Sequence, residues 1–376
     1  MKIAYLGIKG LPSKSGAERV VEAIVRRMAL RHEVIVYCNA RYTHPDAHMD
    51  GMRLIRIPTL PGKHFQALSL FVFSALHALF RGNYDLVHVH NTEACFVVPL
   101  LRSKYRIIAT SHGQAYRRDK WGSAAKKLIQ LIDNAYAWFP HMLTSVSKPL
   151  ADEYAQRFGK VVHYLPNGVE SYPIVDAQSA ERTLRENGVV DSYVLFAAGR
   201  VDPTKGCHLL LEAFGGLDVD LQLTVVGDLS TLPAYSRELQ RMADPRVRFV
   251  PFVKQQAELF GIVQRARLFV FPSTVEAMSM MLLEVASLGV PIVCSDIPEN
   301  TGALGEHALY FRSGDSEDLA NKLQWALDHR DDMQNRAMRA QQWVRQNLNW
   351  DVLAEEYDRL YELLITGACE ARQPSS

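Results

Sequence analysis

Two doubly wound α/β domains in tandem are what this sequence predicts, on three observations. Short Val- and Ile-rich runs alternate with helical patterns along most of the chain, the signature of βαβ units feeding a parallel sheet. The series breaks once, between Asn167 and Asp191, where Pro166, Asn167-Gly168 and Pro173 supply turn signals. The length, 376 residues with 48% apolar and 22% charged side chains, is that of roughly two globular domains.

The first series of strands is expected at Lys2–Ile8, Glu33–Cys38, Arg53–Ile57, Asp85–His90, Arg106–Ser111, Met142–Ser145 and Val161–Leu165. Lys2 to Ile8 is too short for a signal-peptide core and is followed by no small-residue cleavage site, so it reads as the first strand. Phe65 to Phe80 is the most apolar window. It contains Gln66 and His77 and falls short of the ~20 residues that cross a bilayer, which predicts a buried or interfacial helix. The second series is expected at Tyr193–Ala198, Leu221–Gly227, Val247–Phe252, Leu268–Pro272 and Pro291–Ser295. Beyond Leu319 the pattern is helical, over Asp331–Gln346 and Asp351–Ile365, and the last helix is expected to pack back across the boundary. The domains are therefore placed at 1–170 and 171–348, with 349–367 returning to the first and a hinge near Gly168.

Charge is distributed unevenly. The whole chain carries +1, yet residues 1–170 hold 23 Lys and Arg against 12 Asp and Glu, and the remainder 19 against 29. The two halves must meet different partners or each other. Cys38, Cys95, Cys207, Cys294 and Cys369 contain no C-x-x-C pair, which points to a reducing compartment rather than a disulfide framework or a zinc site.

In open α/β sheets ligands gather at the carboxyl ends of the strands. Strand one runs into Lys9 to Glu18, and a helix start near Gly16 offers free N–H groups to an anion. The loop matches neither G-x-G-x-x-G nor a P-loop, so a plain turn with solvated lysines fits it equally. The first strand of the second half ends in Gly199-Arg200-Val201-Asp202-Pro203-Thr204-Lys205-Gly206, where a guanidinium fork and an ammonium share one loop ahead of a helix. That set suits a diphosphate better than it suits the alternative, a surface turn with two solvated cations.

Glu276 and Glu284 are eight residues apart, which in a helix beginning at Glu276 places them on one face roughly 12 Å apart. The separation exceeds that of glycoside-hydrolase carboxylate pairs, about 5–9.5 Å, and disfavours that chemistry. Glu284 lies in an apolar stretch where an unpaired carboxylate would be costly. His88 and His90 share a strand face without a third ligand. His112 follows a strand end and precedes Gly113, which fits a hydrogen-bond donor facing a cleft and, taken singly, fits an ordinary core or surface histidine slightly better. Arg102, Lys104, Arg106, Arg117, Arg118, Lys120, Lys126 and Lys127 adjoin Leu128, Ile129, Leu131, Ile132 and Trp138. Basic residues beside an apolar helical face fit either peripheral contact with anionic lipid, which is the expectation here, or a solvated basic face, and no nucleic-acid motif accompanies them.

Taken together, these segments resemble the retaining glycosyltransferases of family four, with the two-domain Rossmann-like architecture called GT-B. The Gly10–Glu18 loop is similar to the family's first glycine loop, Gly199-Arg200 with Lys205-Gly206 to its diphosphate clamp, and Glu276 to Glu284 to its E-x7-E motif. Pro166 to Val169 and Ser295 to Asn300 are similar to further family segments, and the stretch around Arg117 to Gly122 to enzymes of bacterial surface-polysaccharide assembly. The resemblance implies that Arg200 and Lys205 hold the donor diphosphate, Glu284 the nucleotide ribose, and Glu276 with the backbone of Ala277 and Met278 the sugar hydroxyls. It implies further that Gly16 offers an N–H to the diphosphate, that His112 reaches the transferred sugar, and that Val253 contacts the base. Ser15 and Met278-Ser279 depart from the family's usual residues.

The expected activity is transfer of a hexose-type sugar, with retention, from a nucleotide-diphosphate donor to a lipid-linked or glycan acceptor in cell-surface glycan synthesis. No metal is expected, because the two cations take its place, and the expected location is the cytoplasmic face of the plasma membrane. A sugar-nucleotide epimerase of the same architecture and a non-catalytic nucleotide-sugar sensor are the alternatives.

Overall fold

The computed structural model describes residues 1–13, 16–113, 133–190 and 192–367, except the side chains at 63 and 64. Ser15, Arg117, Arg118, Lys120, Lys126, Lys127, the apolar residues 128 to 132 and Cys369 lie outside the described residues. The chain divides into two units: Met1–Asn167 together with the segment from Trp350, and Gly168–Asn349. The division falls three residues earlier than expected. Val169 donates its N–H to Leu348 O at 2.7 Å and bridges Asn349, so it belongs with the second unit.

In the first unit the strands are β1 (Lys2–Leu6), β2 (Glu33–Asn39), β3 (Met52–Ile57), β4 (Leu86–His90), β5 (Arg106–Ser111), β6 (Met142–Ser145) and β7 (Val162–Tyr164), in the order β3-β2-β1-β4-β5-β6-β7. Every pairing is parallel. Ile3 to Leu6 and Leu86 to His90 are buried throughout, as strands covered on both faces must be. The Trp350–Thr366 helix belongs to this unit, where Asp358 accepts from His32 at 2.6 Å and from Arg31 at 3.2 Å, and Tyr361 is fully buried.

The Lys63–Arg81 helix is half-buried: Leu70, Ala75 and Ala78 are buried, while Phe65, Leu68, Phe73, Leu76 and Phe80 are exposed. Among the described residues no helix is long and apolar enough to cross a membrane.

The second unit holds β8 (Tyr193–Arg200), β9 (Gln222–Asp228), β10 (Val247–Val250), β11 (Leu268–Phe271), β12 (Ile292–Ser295) and β13 (Leu309–Phe311), all parallel, in the order β10-β9-β8-β11-β12-β13. All twelve expected strands form within a few residues of their predicted limits, and β13 is additional. Its three residues carry no readable alternation, and its extended form comes from register with β12, Val293 opposite Leu309. In both sheets the strand order reverses beside the first strand, between β1 and β4 and between β8 and β11. The loops after those strands therefore flank each crevice where an open sheet binds ligands.

Candidate active site

The second unit carries seven of the nine predicted site residues. β8 runs on through Gly199 to Arg200, so Arg200 ends a strand rather than lying in a loop as expected. The register shifts between Ala198 and Arg200, an irregularity of the kind that re-aims a side chain. Arg200 is exposed and lies opposite Asp228. The Asp228 carboxyl is held below its usual range chiefly by Ser230 and Thr231, with the Arg200 charge adding to the effect.

Beyond Arg200 the chain makes a single 3-10 turn, Pro203–Lys205, started by Asp202, whose carboxylate accepts the Thr204 N–H at 3.1 Å. Gly206 closes it at φ 68°, and a Cβ there would sit 2.1 Å from Pro272 O. Only glycine lets the β8 loop lie this close to the β11 loop. The two loops are stitched by the Thr274 N–H, which donates to Thr204 O at 2.8 Å.

These contacts bring Lys205 to Glu276: Nζ lies 2.5 Å from Oε1, with the side chains 25% and 10% exposed. Glu276 does not begin a helix, which corrects the expected two-turn, one-face relation to Glu284. Ser279 is the N-cap, its hydroxyl accepting the Leu282 N–H at 3.3 Å, and the helix is Met280–Ser287. Residues 274 to 278 lie outside that helix, with Thr274 tied to Thr204 and Glu276 to Lys205.

Glu284 is 3% exposed inside that helix and accepts from Gln256 Nε2 at 2.8 Å. Gln256 opens the Gln256–Arg265 helix just past the predicted base contact Val253, which is buried beside an exposed Phe252. Met278 is buried and Ala277 partly so. A second lock joins the loops after β11 and β12: Ser295 Oγ donates to Ser273 O at 2.5 Å, and buried Asn300 Nδ2 donates to Ser295 O at 3.1 Å.

Sequence reading missed Gln256, Thr274 and Asn300 as supports of the site. Only the Ser295–Asn300 segment carried any signal, through its family likeness. Chemically, the second unit sets two cations and two carboxylates around the carboxyl ends of β8 and β11, a donor set for an anion and for hydroxyls.

The first unit carries the other two residues. Gly16 is the first residue of the Gly16–Met28 helix, exposed, and a Cβ on it would meet nothing within 4 Å. Backbone N–H groups at such a start attract anions. The loop before it is held by Glu22, which accepts the Ser13 N–H at 2.8 Å, and by buried Glu18, which accepts the Lys9 N–H at 3.4 Å.

His112 lies just past β5, half-buried, with Nε2 2.9 Å from His90 Nδ1. Burial drives its pKa down to about 4, so at neutral pH it is an uncharged imidazole. His88 and His90 do share a strand face, with ring centroids 3.9 Å apart, and both are fully buried. Among the described residues their hydrogen-bond partners are Tyr361, Thr110 and His112 rather than a carboxylate or a thiol.

Comparison with known proteins completes these observations. A family model described as Glycosyltransferase Family 4 matches residues 14–171, and one described as Glycosyl transferases group 1 matches residues 192–329, so that between them they cover most of the chain. The GDP-mannose-dependent alpha-(1-6)-phosphatidylinositol monomannoside mannosyltransferase of Mycolicibacterium smegmatis is 26% identical, over 96% of this chain and 97% of that protein. Solved structures share the fold. Sucrose-phosphate synthase from Thermosynechococcus elongatus superposes with a TM-score of 0.80 at 21% identity over 97% of this chain and 99% of that one. The Anabaena protein HepE, in complex with UDP and glucose, gives 0.78 at 20% identity over 96% and 99%.

Proposed function

Because the chain belongs to the family-four glycosyltransferases, nucleotide-sugar-dependent enzymes of the GT-B fold, we propose that it moves a hexose, with retention, from a nucleoside-diphosphate donor to a lipid-linked or glycan acceptor. The observation that carries the reading is the meeting of Lys205 and Glu276 across the β8 and β11 loops, with Arg200 at the end of β8.

Without a donor, the Glu276 carboxylate is the counter-ion of Lys205. A diphosphate exchanges into that position, and the released carboxylate is free to accept sugar hydroxyls. Charge then grows on the departing phosphate as the bond from the anomeric carbon to the phosphate oxygen breaks. Arg200 and Lys205 stabilise that charge more in the transition state than in the ground state, and no metal is required for it. The acceptor oxygen bonds to the anomeric carbon on the face the phosphate leaves, and its proton passes to the departing phosphate oxygen, so no protein nucleophile enters.

Glu284, steadied by Gln256, holds the ribose, and Val253 lines the base. Ala277 and Met278 offer backbone groups to the sugar. Gly16 gives its N–H to the diphosphate, and neutral His112 donates to the sugar.

A lipid-linked acceptor at an anionic membrane is favoured by the Lys63–Arg81 helix, whose Phe65, Leu68, Phe73, Leu76 and Phe80 share one exposed face. Exposed Arg81 ends the helix, and Lys104 donates to Leu79 O and Gly82 O beside it. Such a surface suits the cytoplasmic leaflet. The likeness to a phosphatidylinositol monomannoside mannosyltransferase favours the same class of acceptor.

The test is a panel of nucleotide hexoses incubated with lipid-linked and soluble glycan acceptors. Acceptor-dependent release of nucleoside diphosphate is expected, with a product whose anomeric configuration, read by NMR, matches the donor's. Release of an isomerised sugar without acceptor, or an inverted product, would overturn the reading.

A further inference from the structure

Buried hydrogen bonds in the first unit run beside His90, the partner of His112. With the Thr144 hydroxyl on Ala109 O at 3.2 Å, its 2.5 Å contact with Thr110 Oγ1 is one in which Thr110 donates. Thr110 then accepts from His88 Nε2 at 2.6 Å. A neutral His88, protonated at Nε2, has a bare Nδ1, which accepts from the Tyr361 hydroxyl at 2.8 Å. Tyr361 in turn accepts from Tyr5 at 3.1 Å. All of these groups are buried, and reversing the run would set the Thr144 hydroxyl on Thr110 instead of on Ala109 O.

His90 stands at the end of this run with less choice. Its ring is fully buried, 3.9 Å from the His88 ring and stacked on Tyr5 at 5.9 Å. Nδ1 faces His112 Nε2 at 2.9 Å, and among the described residues Nε2 has no hydrogen-bond partner. A neutral imidazole has one N–H. If it sat on Nε2 it would be a buried, unpaired donor, the rarest of orphan groups; on Nδ1 it is used. His90 therefore donates, and His112 Nε2 must be the bare nitrogen that accepts.

We infer that His90 is a positioning residue, holding His112 as its Nδ1–H tautomer so that the N–H offered to the transferred sugar is the one at Nδ1. The inference rests on the proposed role of His112 for its catalytic consequence, but not for the tautomer itself. Strand register makes the contact: His90 pairs with Thr110, and His112 lies two residues further on the same side. A hydrogen-bonded partner on one imidazole nitrogen is the usual device for fixing which nitrogen carries the proton.

Long-range proton–nitrogen correlation spectra of the full-length protein labelled with 15N-histidine, taken at pH 8, read the tautomer directly. The His112 signals are assigned by their loss in H112N. The expected result is a protonated Nδ1 and a bare Nε2 at His112, and a protonated Nδ1 at His90. A protonated Nε2 on His112 overturns the proposal, whether or not any His90 variant folds.

In H90F, which keeps a ring against His88 and Tyr5, His112 is expected to show mixed tautomers. Its kcat is expected to fall about tenfold, the size of one hydrogen bond, with the donor KM within twofold of wild type. H90N, whose amide N–H falls near the place of Nδ1, recovers part of kcat. A folded H90F with unchanged kcat and an unchanged His112 tautomer overturns the positioning role. Unimpaired transfer by H112A would instead reject the role of His112 towards the sugar while the wild-type spectrum still decides the tautomer.

Discussion

Lys205→Ala separates what the Lys205–Glu276 contact does for the fold from what it does for the reaction. The ammonium and carboxylate are 2.5 Å apart and mostly enclosed, so removing the cation leaves Glu276 partly buried without its charged partner. That loss is worth about 1–3 kcal/mol of stability, and for a unit of this size it lowers the melting temperature by about 2–4 °C per kcal/mol. The catalytic loss is larger. Deleting one preorganised group that stabilises charge developing in the transition state costs about 10²–10³ in kcat, or about 2.7–4 kcal/mol.

Adding Glu276→Gln removes the stranded charge, so K205A/E276Q is expected to regain most of the melting temperature and none of the kcat. The assays are thermal unfolding and acceptor-dependent nucleotide release at saturating donor. If K205A melts lower as expected but turns over within tenfold of wild type, Lys205 serves only to neutralise Glu276, and the argument for leaving-group stabilisation fails.

Three further outcomes follow from particular contacts. Gly206→Ala forces a Cβ to within 2.1 Å of Pro272 O at φ 68°, and is expected to lower the urea midpoint by the equivalent of at least about 2 kcal/mol; an unshifted midpoint would refute the close approach. Gln256→Leu removes a donor to buried Glu284 and should raise the donor KM about fivefold to tenfold with kcat changed less; a pure kcat defect would contradict the ribose role.

The buried histidines make stability pH-dependent. His88 and His90 titrate well below the ordinary value and His112 near 4, all through burial, while in the unfolded chain they titrate near 6.5. Below pH 6.5 the unfolded chain therefore binds more protons, and stability falls as the pH drops towards 4, by up to about 1.4 kcal/mol per pH unit per histidine. A urea midpoint unchanged between pH 7 and pH 5 would contradict this.

The fold was legible because most of it is local. Twelve strands announce themselves as apolar runs between helical patterns, and the Asn167-Gly168 turn marks the passage between units. β13 escapes because three residues acquire their form only by pairing with β12. The site was legible as chemistry and less so as geometry. The paired cations and the two glutamates are visible as residue types, but their spacing reads as one helix from Glu276, whereas Ser279, a strong N-cap residue, starts the helix at Met280. Thr274 on Thr204, Gln256 on Glu284 and His90 on His112 join elements that only the strand order brings together, and no spacing in the sequence encodes them.

The central claim, that Arg200 and Lys205 grip the donor's diphosphate, is tested most directly by calorimetric titration of UDP, GDP and ADP in the presence of a metal chelator, comparing wild type with R200A/K205A. At least one nucleotide is expected to bind the wild type, and to bind the folded double variant at least 100-fold more weakly, as loss of two charge-assisted contacts requires. Equal affinity for both proteins would contradict the account.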